Sequence, residues 1–472
     1  MPSQQAPRGS VPIVEQRAIW IGLRLAAIAI AVPLMLAGCL PSLSDLNPLN
    51  LIGGNDEEDE DRLQGERISV LSLEQTLEVD PDLADIEVAL PPPYVNDSWP
   101  QPGGYATHAM HHLQIPADIK EVWRVKAGQG SQGGVRLTAP PVVGDGTVFV
   151  RDAVASVSAF DAASGKRLWE VNLKPRKTKS YMGTGGGVAF AEGKVFASTG
   201  FGFIVALDGK TGTEIWRQSL GLAIRSAPTV SNGRLFVSTF DNQLFALSTT
   251  DGRIFWNHRA TPETARLLVS SSPAVSGDIV IAPFSSGEIF ALRVQNGRVA
   301  WSDALQRTGQ LTPLATLNDI AGRPVIDRGR VIAVSHNGRM VSIDLRSGER
   351  VWTRDIGSVQ TPWVAGDYIY VVSIDSEIIC LSRRDGRIRW ITLLQQFENE
   401  KKKKGPIFWS GPVLAGDRLI VVSSHGEALS VSPYTGEILG HIDLPHGSFI
   451  SPIVANETVF LLTDDAKLIA LR

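Results

Sequence analysis

Few residues in this chain have the types and spacing that chemistry requires. Three histidines, His108, His111 and His112, cluster within five positions. Imidazoles so close suggest a metal site, yet no cysteine or acidic ligand stands beside them at a recognisable spacing. They are expected to be structural or solvated. There are two cysteines, Cys39 and Cys380. Gly183–Gly187 is glycine-rich, but it runs into a β-type segment, whereas a phosphate cradle needs a helix N-terminus. No nucleophile elbow, zinc-protease helix or phosphate loop is present in the sequence. The run Lys401–Lys404 is expected to be a solvated loop tip, with lipid headgroups or an acidic partner as its functional alternatives. No catalytic, metal-binding or cofactor-binding residue is assigned.

The elements around these residues are more informative. From Ala139 to Arg472 one unit recurs about eight times. Two or three β-rich runs end in a small-apolar pair, such as Ala159-Phe160, Ala206-Leu207 or Ala246-Leu247. A turn closed by glycine follows, and in most copies a tryptophan stands four residues on. The glycines are Gly165, Gly212, Gly252, Gly297, Gly348, Gly386 and Gly436. Trp169, Trp216, Trp256, Trp301, Trp352 and Trp390 follow six of them, whereas Gly440 stands at the tryptophan position of the seventh unit. A period of 38 to 51 residues with four short strands per unit predicts an all-β fold, an eight-bladed β-propeller of four-stranded antiparallel blades. Cys380 occupies the small-residue position that other units fill with Ala or Ser, so it is a packing residue.

The last unit stops after Ala470-Leu471, while an orphan outer strand around Trp123 precedes the first unit. Pairing the two closes the ring and removes two open sheet edges. All seven tryptophans are expected to dock one blade on the next, each worth about 3–5 kcal/mol by the usual truncation cost. The seam at Gly440 should then be the weakest.

The chain has 472 residues, and the propeller absorbs most of them. Net charge is −4, with six acids gathered at Asp56–Asp61, so nothing favours nucleic acid. The N-terminus is a separate object. Arg8, Arg17 and Arg24 precede an uncharged stretch, Leu25–Gly38, too short for a comfortable membrane span. Its end, Leu36 to Cys39, resembles a bacterial lipobox. That resemblance implies cleavage before Cys39 and lipidation of Cys39, with Leu40 favouring the outer membrane; an ordinary secretory signal is the alternative. The domains expected are 1–38, a lipoprotein signal; 39–65, a lipidated acidic tether; 66–120, an extended segment; and 121–472, the propeller.

Two stretches, Leu317 to Pro324 (LNDIAGRP) and Asn337 to Trp352 (NGRMVSIDLRSGERVW), carry a family resemblance. The repeat resembles two families that share one propeller: the quinoprotein (PQQ-dependent) dehydrogenases, and the BamB lipoproteins of the outer-membrane β-barrel assembly (BAM) machinery. The dehydrogenase likeness would imply PQQ, axial Ca²⁺ ligands and often an adjacent cysteine pair, and this sequence has no such pair. The BamB likeness implies a noncatalytic protein, without cofactor, anchored at the outer membrane and facing the periplasm. Its partners would be the POTRA domains of BamA, the BAM complex, and unfolded outer-membrane proteins in addition. It also implies a contact surface from the segments entering two adjacent blades. Here these are Arg266, Leu267 and Leu268, an apolar anchor, and Asp319 with Arg323, a polar register. Arg266 precedes the leucines where the family's arginine follows, and Ala321 stands where a second aspartate is usual. The connection from Asp303 to Gly322 is long, and long loops on rigid scaffolds carry recognition; an idle insertion is the alternative. A third reading is an anchored propeller for another envelope partner or a glycan.

Overall fold

Four-strand units recur because each segment meets the same surroundings. The computed structural model describes residues 77–83, 86–179, 183–263, 267, 271–306 and 317–472. Segment 1–76, with Cys39 and the acidic run, lies outside the described residues. Eight four-stranded antiparallel sheets follow one another: blade 1 (142–172), blade 2 (186–219), blade 3 (229–259), blade 4 (274–304), blade 5 (325–354), blade 6 (363–393), blade 7 (409–443) and blade 8 (453–471). Blade 8 takes its outer strand, Glu121–Lys126, from the other end of the chain, with Trp123 opposite Ala470. The ring closes as the orphan strand predicts.

Within each blade the position of a strand sets its sequence. The two middle strands, such as Thr147–Arg151 and Ser156–Asp161 of blade 1, are almost wholly buried, because neighbouring blades cover both faces. They therefore read as continuous apolar runs. The outer strand alternates, as in Arg167–Asn172, since one face meets solvent. The first strand of each blade is mostly three residues long, and successive first strands are neighbours around the axis.

The turn before the outer strand is built by its aspartate and glycine. In blade 1 the Asp161 carboxylate accepts from the Ser164 amide at 2.8 Å and hydroxyl at 2.6 Å, while Gly165 takes φ +70°. Gly165 also admits a ring: a Cβ there would lie 2.7 Å from the indole of Trp123. That indole donates from Nε1 to the Ala162 carbonyl at 3.2 Å, so blade 8 is stapled to blade 1. Trp169, Trp216, Trp256, Trp301, Trp352 and Trp390 make the same bond to the turn of the following blade, at 2.9–3.3 Å.

The seam between blades 7 and 8 departs from this rule for a topological reason. The third and outer strands of blade 8 come from opposite ends of the chain, so no turn exists there to offer a carbonyl. Lys120 and Arg472 pair instead, each amide donating to the other's carbonyl at 2.9 Å. Ile119 stands four residues before Trp123, where the other blades place glycine. Across the seam stands Gly440, and a cleft of about 490 Å³ lined by Ile119, Leu439, Gly440 and Ile442 remains.

The segment before the propeller winds once around the axis. Asn96 donates to the Val454 carbonyl of blade 8 at 2.6 Å. Trp99 exchanges two 2.8 Å backbone bonds with Val143 of blade 1, and the Pro100 carbonyl takes the Phe190 amide of blade 2. The Gln101 side chain takes the Val230 amide of blade 3 at 2.7 Å. The carbonyls of Ala106 and Thr107 take the amides of Val275 and Ile326, in blades 4 and 5. His111 accepts from the Trp363 indole of blade 6 at 2.7 Å, and the Leu113 amide donates to Leu414 of blade 7. Eight blades are thus met in ring order by residues 96–113. The side chains of Trp99, His108, Met110, His112 and Leu113 are buried, and Trp99 stacks on Trp363 of blade 6 with centroids 6.3 Å apart.

Candidate partner-binding surface

The connections between blades all emerge on the face opposite this winding arm, and three of them meet at one carboxylate. Asp319, on the way into blade 5, accepts from Arg225 at 2.5 Å and from the Leu267 amide at 3.1 Å. Arg225 leads into blade 3 and Leu267 into blade 4. Both charged side chains of the pair are at most 2% exposed. Asp319 is therefore no surface group that offers its charge to a partner. Burial without a partner would cost it heavily, and Arg225 removes that cost. The position holds three connections in register.

Arg323 is half-buried. One guanidinium nitrogen donates to the Thr361 hydroxyl at 3.3 Å, and burial pushes its pKa down to about 10. It lies beside His108 of the arm, whose Nδ1 donates to the Pro324 carbonyl at 2.7 Å. Burial, with Arg323 adding repulsion, pushes the His108 imidazole down to about 3, so the ring is neutral. Sequence spacing cannot separate a carboxylate facing solvent from one facing an arginine 94 residues away, and here the two differ in role. Leu267 is half-buried on this face. Arg266, Leu268 and residues 307–316 lie outside the described residues.

The other histidines also serve the arm. His112 is buried, with Nδ1 bonded to the Pro91 carbonyl at 2.8 Å and Nε2 accepting from the Asp417 amide at 3.1 Å. His111 lies 3.5 Å from Asp327. Among the described residues no three His, Cys, Asp or Glu side chains gather as a metal site would require. The Cys380 thiol is buried, and that burial pushes its pKa up. The prolines and paired glycines from Pro91 to Gly104 mark the arm as an extended, turning chain, though they do not give its course.

Comparison with known proteins agrees with this architecture. The family model described as outer membrane protein assembly factor BamB matches residues 116–174, 153–392 and 395–472. The chain is 24% identical over 359 residues to outer membrane protein assembly factor BamB of Moranella endobia, covering 75% of this chain and 90% of that protein. It is 28% identical over 354 residues to the protein of that name from Salmonella typhimurium, covering 74% and 88%. Among solved structures, BamB from Moraxella catarrhalis superposes with a TM-score of 0.64 at 18% identity, over 75% of this chain and all of that one. A europium-containing methanol dehydrogenase superposes at 0.62 with 14% identity, over 77% and 89%, which shows the shared propeller. With the family model spanning nearly the whole propeller, the chain belongs to the outer membrane protein assembly factor BamB family.

Proposed function

We propose that this protein is a noncatalytic scaffold lipoprotein, anchored through Cys39 at the periplasmic face of the outer membrane. There it binds the POTRA domains of BamA within the BAM complex and assists insertion of β-barrel proteins. The observation that carries this reading is the rigid junction at Asp319, which fixes three adjacent inter-blade connections on one face. A rigid scaffold under such loops is what a recognition surface requires. Family membership supports the partner. In this reading Arg266, Leu267 and Leu268 supply the contact, with the leucines as its apolar anchor, and Asp319 holds the Leu267 amide.

The test is binding of the mature chain, with Cys39→Ser, to the isolated POTRA region of its own BamA by calorimetry. We expect Leu267→Asp to weaken binding at least tenfold, about 1.4 kcal/mol or more, while thermal unfolding stays unchanged. Unaltered affinity would overturn the site. Failure of the unsubstituted chain to bind would overturn the partner. A titration with PQQ and Ca²⁺ would then address the dehydrogenase likeness.

A further inference from the structure

The four lysines at 401–404 stand on a built hairpin. Phe397–Asn399 pairs with Lys404–Pro406, and Asn399 caps the turn by accepting from the Lys402 amide at 3.0 Å. The hairpin is fixed to its surroundings: Ile407 donates to the Gln396 carbonyl at 2.8 Å, and the Trp409 indole donates to Gln395 at 2.9 Å. Both of its acids are exposed but engaged in local bonds. Glu400 accepts from the Gln396 and Phe397 amides at 3.0 and 3.1 Å, and Glu398 lies 2.9 Å from His425. The lysines are all exposed, so the hairpin shows solvent a concentrated positive charge.

Beside it lie two phenyl rings. Phe408, in the connection into blade 7, is 56% exposed, and Phe449, in the connection into blade 8, is 51% exposed. Their centroids are 6.0 Å apart. Ser424 holds Phe408 by two backbone-directed bonds at 2.8 and 3.0 Å, so the ring is displayed by a fixed backbone. Among the described residues one other phenylalanine is exposed, Phe255 at only 37%, and the Arg234 guanidinium covers it at 4.5 Å. A solvent-facing aromatic pair next to unpaired cations is a feature of recognition surfaces.

We propose that the Lys401–Lys404 hairpin and the Phe408–Phe449 pair form a second docking surface, which takes an extended acidic polypeptide segment bearing an aromatic residue. The ring stacks on the phenyl pair and the carboxylates meet the lysines. The chain's own acidic run at 56–61 supplies charge, but residues 40–76 contain no aromatic side chain. It therefore lacks the group that the phenyl pair selects.

The experiment uses the full mature chain and a fluorescein-labelled twelve-residue peptide of alternating Asp and Ser with two Tyr, followed by anisotropy. Binding is expected, weakened about tenfold or more by Phe408→Ala with Phe449→Ala, and similarly by replacing the four lysines with Gln. Raising the salt should weaken it, and Leu267→Asp should leave it unchanged, which separates this surface from the one at Asp319. Equal binding of a peptide with Ala in place of Tyr would overturn the aromatic element. Absence of peptide binding would overturn the proposal. So would binding to phosphatidylglycerol vesicles, lost in the same variants, without peptide binding; that outcome would make the patch a membrane contact.

Discussion

Asp319, expected at a contact surface, is instead a buried charge. Its carboxylate is enclosed with Arg225 and binds the Leu267 amide, so Asp319→Ala removes the carboxylate that pairs with a buried guanidinium. We expect a loss of about 3–5 kcal/mol in urea unfolding, with POTRA binding weakened indirectly through the released connections. Arg225→Met with Asp319→Leu should recover most of that stability. His108 gives a second prediction. Its folded-state pKa of about 3 lies below the ordinary imidazole value, so the unfolded chain takes up the proton first. His108 therefore costs nothing above pH 6.5, and stability falls as pH drops from about 6.5 towards 3, by about 1.4 kcal/mol per unit. His108→Gln should flatten that slope in denaturant midpoints measured between pH 5 and 7. Neither environment was legible in the sequence, because the partners of Asp319 and His108 lie 94 and 216 positions away.

Elements were far more legible, because every blade imposes the same demand. A middle strand covered on both faces must be apolar throughout, and an indole that donates to a turn must find glycine beneath it. Trp352 is buried and bonded to the Arg383 carbonyl at 3.0 Å, so Trp352→Ala should cost about 3–5 kcal/mol in thermal or urea unfolding. Gly440 reads as a missing tryptophan in the sequence, whereas the structure shows a missing turn. Ile119 occupies the place of the glycine an indole would need. Gly440→Trp should therefore destabilise the seam. Combining it with Ile119→Gly should relieve the clash by at least about 1 kcal/mol relative to the sum of the single changes. Additive effects in that double-mutant cycle would show that the two positions do not meet. The hairpin at 397–406 was read as a loop tip, since three-residue strands carry too little periodicity to declare themselves.

At the scale of the whole molecule, ring closure by Glu121–Lys126 was visible because a repeat with a missing strand and a strand with a missing repeat have one economical solution. The arm was legible as an extended segment, but its circuit was not. It meets each blade through a few hydrogen bonds and follows no period, so nothing in its sequence counts the blades. Deleting residues 77–115 should leave eight blades but free the inner amides of Val143, Phe190, Val230, Val275 and Ile326. Hydrogen exchange at those amides should accelerate and the melting temperature should fall; unchanged protection would mean that the arm is dispensable. A mechanical consequence follows from the arm's single circuit. Tension entering through residues that precede it would be shared among eight bearings, as a hub shares load among its spokes, and would not peel away one blade at a time.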